Sequence, residues 1–151
     1  MLDSKLQRET LTCTVREETE TIEVARDLGA RFGRGTVFAL HGCLGAGKTR
    51  FAQGLALSLG VSEPVCSPTY TIINEHEGRE GMRFIHMDLY RLVDEVGVED
   101  LGFEEILERA ALTVIEWPER AGSLLPENTV HVWISLGQGE CERCIRVEWT
   151  R

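Results

Sequence analysis

The sequence predicts an α/β fold: one domain spanning residues 1–151, with a mixed central sheet flanked by helices. Three observations predict it. An apolar, β-prone run at 36–40 meets a glycine-rich turn and then a helical pattern over 48–59, in which Phe51, Leu55 and Leu59 share one face. A second apolar run, Leu112-Thr113-Val114-Ile115, ends in Glu116, as a buried parallel strand does when it delivers an acid to its C-terminal edge. Two alternating runs, 129–136 and 144–150, flank the turn signal Gly137-Gln138-Gly139-Glu140, so the later strands form a hairpin and the sheet is mixed.

The elements follow in order. Leu11, Cys13 and Val15 alternate with threonine and suggest a first strand over 11–15. Acids and threonines at 17–21 suit a helix start, Ile22, Ala25, Leu28 and Phe32 recur at helical spacing, and Gly33 and Gly35 end the segment. After the strand and helix at 36–59, Pro64 and Pro68 mark a loop. Residues 70–74 have strand character, and 77–81 form a hairpin connection to a strand over 82–88. That strand sets Phe84, His86 and Asp88 on one face, and Ile85 and Met87 on the other. The acidic stretch 94–109 is helical in pieces, broken near Gly102, and reads as a solvated face or as a dock for a basic partner.

Composition narrows the function classes. A chain of 151 residues can bury roughly 70% of its unfolded surface. Its 42% hydrophobic and 27% charged residues match a soluble globular protein. No run approaches the roughly 18 apolar residues of a membrane span. The polar first ten residues lack a signal-peptide core, so a cytoplasmic location without membrane association is expected. A net charge of -9 argues against a large basic nucleic-acid surface, so any contact with RNA should run through a partner. Of the five cysteines, only Cys141 and Cys144 form a Cys-x-x-Cys pair. Without a second pair or paired histidines they are expected to be ordinary thiols near a hairpin.

The turn between the strand and helix is Gly42-Cys43-Leu44-Gly45-Ala46-Gly47-Lys48-Thr49, which fits the phosphate-binding pattern Gly-x4-Gly-Lys-Ser/Thr. The predicted fold is therefore that of a P-loop NTPase. Glycines let successive N–H groups turn toward a phosphate, and the helix adds its N-terminal donors and partial positive charge. Lys48 would reach the β- and γ-phosphates, and the Thr49 hydroxyl would ligate Mg2+. Phosphoryl transfer further asks for a carboxylate on the metal side and a group that orients the attacking water. Two strand ends supply acids, Glu116 and Asp88, and periodicity alone does not divide the roles between them. Asp88 reads equally as a structural cap. His86 reads as a packing or hydrogen-bonding residue, Trp117 as packing or a base platform, and Arg91 as a phosphate or partner contact or an ion pair.

On these residues the chain resembles a known family, the bacterial TsaE (YjeE) ATPases required for threonylcarbamoyladenosine modification of tRNA. The resemblance runs from about residue 21 to 126. It rests on Leu44-Gly45-Ala46-Gly47-Lys48-Thr49, Ser67-Pro68-Thr69-Tyr70, His86-Met87-Asp88-Leu89-Tyr90-Arg91 and Ile115-Glu116-Trp117-Pro118. It implies ATP and Mg2+ as ligands, with Thr49 and Glu116 at the metal. Asp88 is implied in hydrolysis beside Lys48, and Ser67 and Thr69 in a switch-like loop. Trp117 and Glu119 are implied near the nucleotide, and Glu18 in an N-terminal contact. It further implies two protein partners, the threonylcarbamoyl transferase subunit TsaD and its paralogue TsaB, with tRNA reached through that complex. The family pattern has Asp where this chain carries Cys43; backbone N–H groups do the phosphate binding there, so binding should survive the change.

Two other classes share the loop. A small-molecule or nucleoside kinase would need an arginine-bearing lid, and no suitable arginine cluster occurs. Its GTPase variant is suggested only by Asp94-Glu95-Val96-Gly97, without an Asn-Lys-x-Asp signature. A non-catalytic nucleotide-sensing module would use ATP only to order the loop at 67–70.

Overall fold

The computed structural model describes residues 6–43 and 45–151. Strands β1 (Arg8–Val15), β2 (Thr36–His41), β3 (Ile73–Glu77), β4 (Arg83–Asp88), β5 (Leu112–Glu116), β6 (Val130–Leu136) and β7 (Arg143–Thr150) form one sheet. Its order is β1-β7-β6-β2-β5-β4-β3. β6, β2, β5 and β4 are parallel neighbours, whereas β7 and β3 pair antiparallel to β6 and β4. The mixed sheet is the predicted one. Its four parallel C-terminal ends collect at one edge, the usual ligand-binding edge of an open α/β sheet.

Helices α1 (Glu18–Arg31) and α2 (Lys48–Ser58) cover one face. They bury Ala25, Leu28, Phe51 and Leu55 on Phe38, Leu40, Val114, Val132 and Ile145. Fully burying a side chain such as Phe51 contributes about 1.5–3 kcal/mol. The two helices cross in backbone contact. A Cβ on Gly54 would lie 2.2 Å from the Ile22 carbonyl oxygen and 2.6 Å from Ala25 Cβ.

The short helices α3 (Glu95–Asp100) and α4 (Phe103–Arg109) cover the opposite face. There Val98, Phe103 and Ile106 pack with Ile85, Met87, Leu89 and Ile115. Gly102, in the left-handed region, separates α3 from α4 where the sequence predicts a break. Asp94 caps α3 by accepting the Gly97 N–H at 3.1 Å, so the apparent Asp-x-x-Gly signal is a helix start. On that same face β6, β7 and β1 carry His131, Trp133, Arg146 and exposed threonines.

One predicted strand shifts. Residues 70–72 form a turn, because the Ile72 N–H bonds back to the Pro68 carbonyl at 2.8 Å with Ile72 at φ 69. Pairing therefore starts at Ile73↔Met87. Between β5 and Pro126 the chain forms two 3-10 turns, Pro118–Arg120 and Gly122–Leu124. At the edge away from the parallel strand ends, Gln7 and Arg151 exchange backbone hydrogen bonds of 3.3 and 2.9 Å, extending the β1–β7 ladder.

Candidate functional site

The phosphate-loop sequence leaves the C-terminal end of β2 at Gly42. This residue is pressed against β6: a Cβ there would sit 2.7 Å from the Ile134 carbonyl oxygen. Gly47, at φ 110, is the N-cap of α2, a conformation few L side chains adopt. The first turn of α2 contains no acid, and no side chain caps its N-terminus. Its initial N–H groups and the positive end of its dipole therefore suit an anion.

Two acids face this helix end. Asp88 and Glu116 are register partners at the ends of β4 and β5, buried to 5% and 4% exposure. Asp88 Oδ1 accepts the Tyr90 N–H at 3.0 Å, so the residue caps the chain's exit from β4 while lining the cleft. Glu116 Oε2 accepts hydrogen bonds from His86 Nε2 at 2.8 Å and Ser67 Oγ at 3.2 Å. Its other oxygen, Oε1, lies 4.0 Å from Lys48 Nζ. Burial pushes the Glu116 carboxyl up. The His86 hydrogen bond and charge, with Lys48 and the Ser67 hydroxyl, outweigh burial and hold it below its ordinary value. Glu116 is thus a fixed anion.

Trp117 turns the chain sharply after Glu116, with φ 57, and Pro118 follows it. Its ring lies 5.2 Å from Lys48 Nζ and 4.8 Å from the Tyr90 ring, a packing role that also restrains the lysine. Arg50, in the first turn of α2, holds Glu18 at 3.1 Å. Arg91 stacks on Tyr70 at 4.8 Å.

These groups surround a cleft of about 670 Å³. Gly45, Gly47, Lys48, Thr49, Ser67, Thr69, Asp88, Glu116 and Trp117 line it, as does Glu18. An adjoining space of about 340 Å³ is bordered by Gly42, Lys48, Trp117 and Glu119, together with His41. Two residues expected at the nucleotide stand apart. Ala46 is buried in the core beneath the loop, and its N–H closes a turn onto the Cys43 carbonyl at 3.1 Å. Cys43 is exposed and borders neither space. Leu44 lies outside the described residues.

Chemistry, rather than size, selects this site. A cleft of about 700 Å³ beside α4 is lined by Glu99, Asp100, Glu104, Glu105 and Glu108 and by no basic residue, a wall that repels phosphate. Thr49, Asp88 and Glu116 instead offer hard oxygen donors beside Lys48, a set that fits Mg2+ and phosphate oxygens. Sequence reasoning did not identify the His86–Glu116 bond. The available signal was the polar residue at 86, two positions before Asp88 on the same face of an otherwise apolar strand. No group of three His, Cys, Asp or Glu side chains forms a separate metal cluster among the described residues. No helix among them is long and apolar enough to cross a membrane.

Comparison with known proteins identifies relatives of the chain. The family profile described as "Threonylcarbamoyl adenosine biosynthesis protein TsaE" matches residues 15–145. The chain is 39% identical to the tRNA threonylcarbamoyladenosine biosynthesis protein TsaE of Treponema pallidum, across 81% of this chain and 89% of that protein. It is also 39% identical to the protein of that name from Bacillus subtilis, across 84% and 77% of the two chains. The crystal structure of Bacillus subtilis YdiB superposes with a TM-score of 0.78 at 29% identity, covering 96% of this chain and 88% of that one. The chain therefore belongs to the TsaE family of threonylcarbamoyl adenosine biosynthesis proteins.

Proposed function

We propose that this chain, acting in the cytoplasm, binds Mg2+–ATP in the cleft around Lys48. Its hydrolysis of ATP supports threonylcarbamoyl transfer to tRNA by a complex containing TsaD and TsaB. One observation carries the reading: an uncapped α2 N-terminus and Lys48 face two buried carboxylates, Asp88 and Glu116, across one cleft.

The roles follow from the side chains. Lys48 offers a point charge to the phosphates, and the N–H groups at the start of α2 offer directed donors. Thr49 and Glu116 would hold the metal, with Glu116 presenting Oε1 because Oε2 is engaged by His86 and Ser67. When bound, Mg2+ neutralises phosphate charge that these donors alone leave exposed. Asp88 is the acid available to orient water. Trp117 packs against Lys48 and borders, with Glu119, the adjoining space. Ser67 links the 67–70 loop to Glu116, a direct route by which an occupied site would order that loop.

The test is ATP turnover by the purified chain, alone and with TsaD and TsaB, alongside GTP and a panel of small phosphate acceptors. Turnover stimulated by the two proteins is the expected result. Phosphate transfer to a small acceptor would replace this reading with a kinase. Binding without turnover under any condition would leave a nucleotide-sensing module.

A further inference from the structure

Arg143 opens β7 at the base of the β6–β7 hairpin, and its side chain reaches residues nearly a hundred positions earlier. Nε donates to the Ala46 carbonyl at 3.0 Å, and Nη2 to the Gly45 carbonyl at 3.3 Å. Nη1 donates to the Glu142 carbonyl at 3.0 Å and the Glu140 carbonyl at 3.2 Å. The planar fork thus spends its donors on four neutral backbone acceptors, and it forms no salt bridge among the described residues.

The hairpin is built to hold this position. The Gly137 N–H bonds to the Glu142 carbonyl at 2.8 Å, and the Gln138 N–H to Glu142 Oε1 at 3.2 Å. The phosphate loop therefore leans on β6 through Gly42 at its start and on Arg143 at its middle. In a trans peptide the C=O and the next N–H point in opposite directions. Holding the Ala46 carbonyl toward the hairpin directs the Gly47 N–H away from the hairpin, and Gly47 itself lines the cleft.

We propose that Arg143 is a positioning residue for nucleotide phosphates. Through the Gly45 and Ala46 carbonyls it keeps the loop in its anion-accepting conformation. This rests on the nucleotide-binding reading above. Because Arg143 acts on the loop, and not on the reacting atoms, its loss should raise the ATP KM and leave kcat nearly unchanged.

The test is a fluorescence titration of the full chain with mant-ADP and Mg2+, followed by ATP kinetics. The proteins are wild type, Arg143→Ala, Arg143→Lys and a control, Arg146→Ala, whose guanidinium sits over Trp133 at 4.5 Å. Arg143→Ala should weaken binding by about tenfold or more, since charge-assisted hydrogen bonds to the loop are lost. Arg143→Lys should recover part of this, and Arg146→Ala should match wild type. Wild type failing to bind mant-ADP would remove the nucleotide reading and this proposal together. Wild-type binding that Arg143→Ala fully retains would overturn the role of Arg143 alone. If Arg143→Ala does not fold, amide hydrogen exchange without nucleotide decides. Faster exchange in Arg143→Lys confined to residues 45–48 supports the role; unchanged exchange, or loss spread across the sheet, overturns it.

Discussion

Lys48 and Glu116 face each other at 4.0 Å, and their different surroundings predict different mutant behaviour. Lys48→Ala removes a point charge from the phosphate side. It is expected to weaken nucleotide binding by about tenfold or more, read by titration. Glu116→Ala is expected to leave nucleotide binding closer to wild type and to depress Mg2+-dependent turnover, so equal turnover in Glu116→Ala and wild type would remove Glu116 from the site. Glu116→Ala should also cost about 1–3 kcal/mol of stability, because His86 is buried and would lose the partner of its Nε2. A second titrating pair sets a pH dependence. His41 Nε2 and His131 Nδ1 meet at 2.9 Å, so one nitrogen donates and the other accepts. Burial chiefly, then the neighbouring His131, lowers His41 against the opposing Glu119 charge; burial chiefly lowers His131, against the Glu148 charge and with that of Arg8. The folded state therefore binds fewer protons than the unfolded chain. Stability should be full above the ordinary imidazole value of 6.5 and decline as pH falls through the lowered folded values. Urea midpoints at mildly acidic and neutral pH check this, and His131→Gln should flatten the slope. Most of the cleft was legible in sequence, since the glycine loop and the strand-end acids are local patterns. His86 and Arg143 were not, because their partners meet only through sheet register and a hairpin turn.

Helix α2 does two jobs: its N-terminus faces the cleft, and its middle crosses α1 at backbone distance. Gly54 has no room for a methyl group, since the intruding atoms are the Ile22 carbonyl and Ala25 Cβ. Gly54→Ala should separate the helices and destabilise the fold by about 1–3 kcal/mol, measured as a lowered thermal midpoint. An unchanged midpoint would mean that the helices slide apart freely. Periodicity located both helices and the 112–116 strand, because a stripe or an unbroken apolar run is a property of the segment itself. It misplaced the start of β3, because the turn at 68–72 depends on a backbone bond to Pro68 and a left-handed Ile72. That choice leaves little trace in hydropathy. The crossing at Gly54 was equally hidden, since a glycine inside a helix does not announce which neighbour comes close.

Across the whole molecule, one continuous sheet links the two faces and their separate apolar clusters. We propose that residues 1–151 unfold as one domain, and a single calorimetric transition with matching van't Hoff and calorimetric enthalpies is the expected result. Two resolved transitions would divide the chain. The parallel strands were legible as a class, but their order was not, because neighbours in the sheet such as β2 and β6 are far apart in sequence. Closure of β1 onto β7 also has a practical consequence. Gln7 and Arg151 are already hydrogen-bonded, at the pole opposite the phosphate loop. Fluorophores or surface tethers attached there would leave the cleft unobstructed.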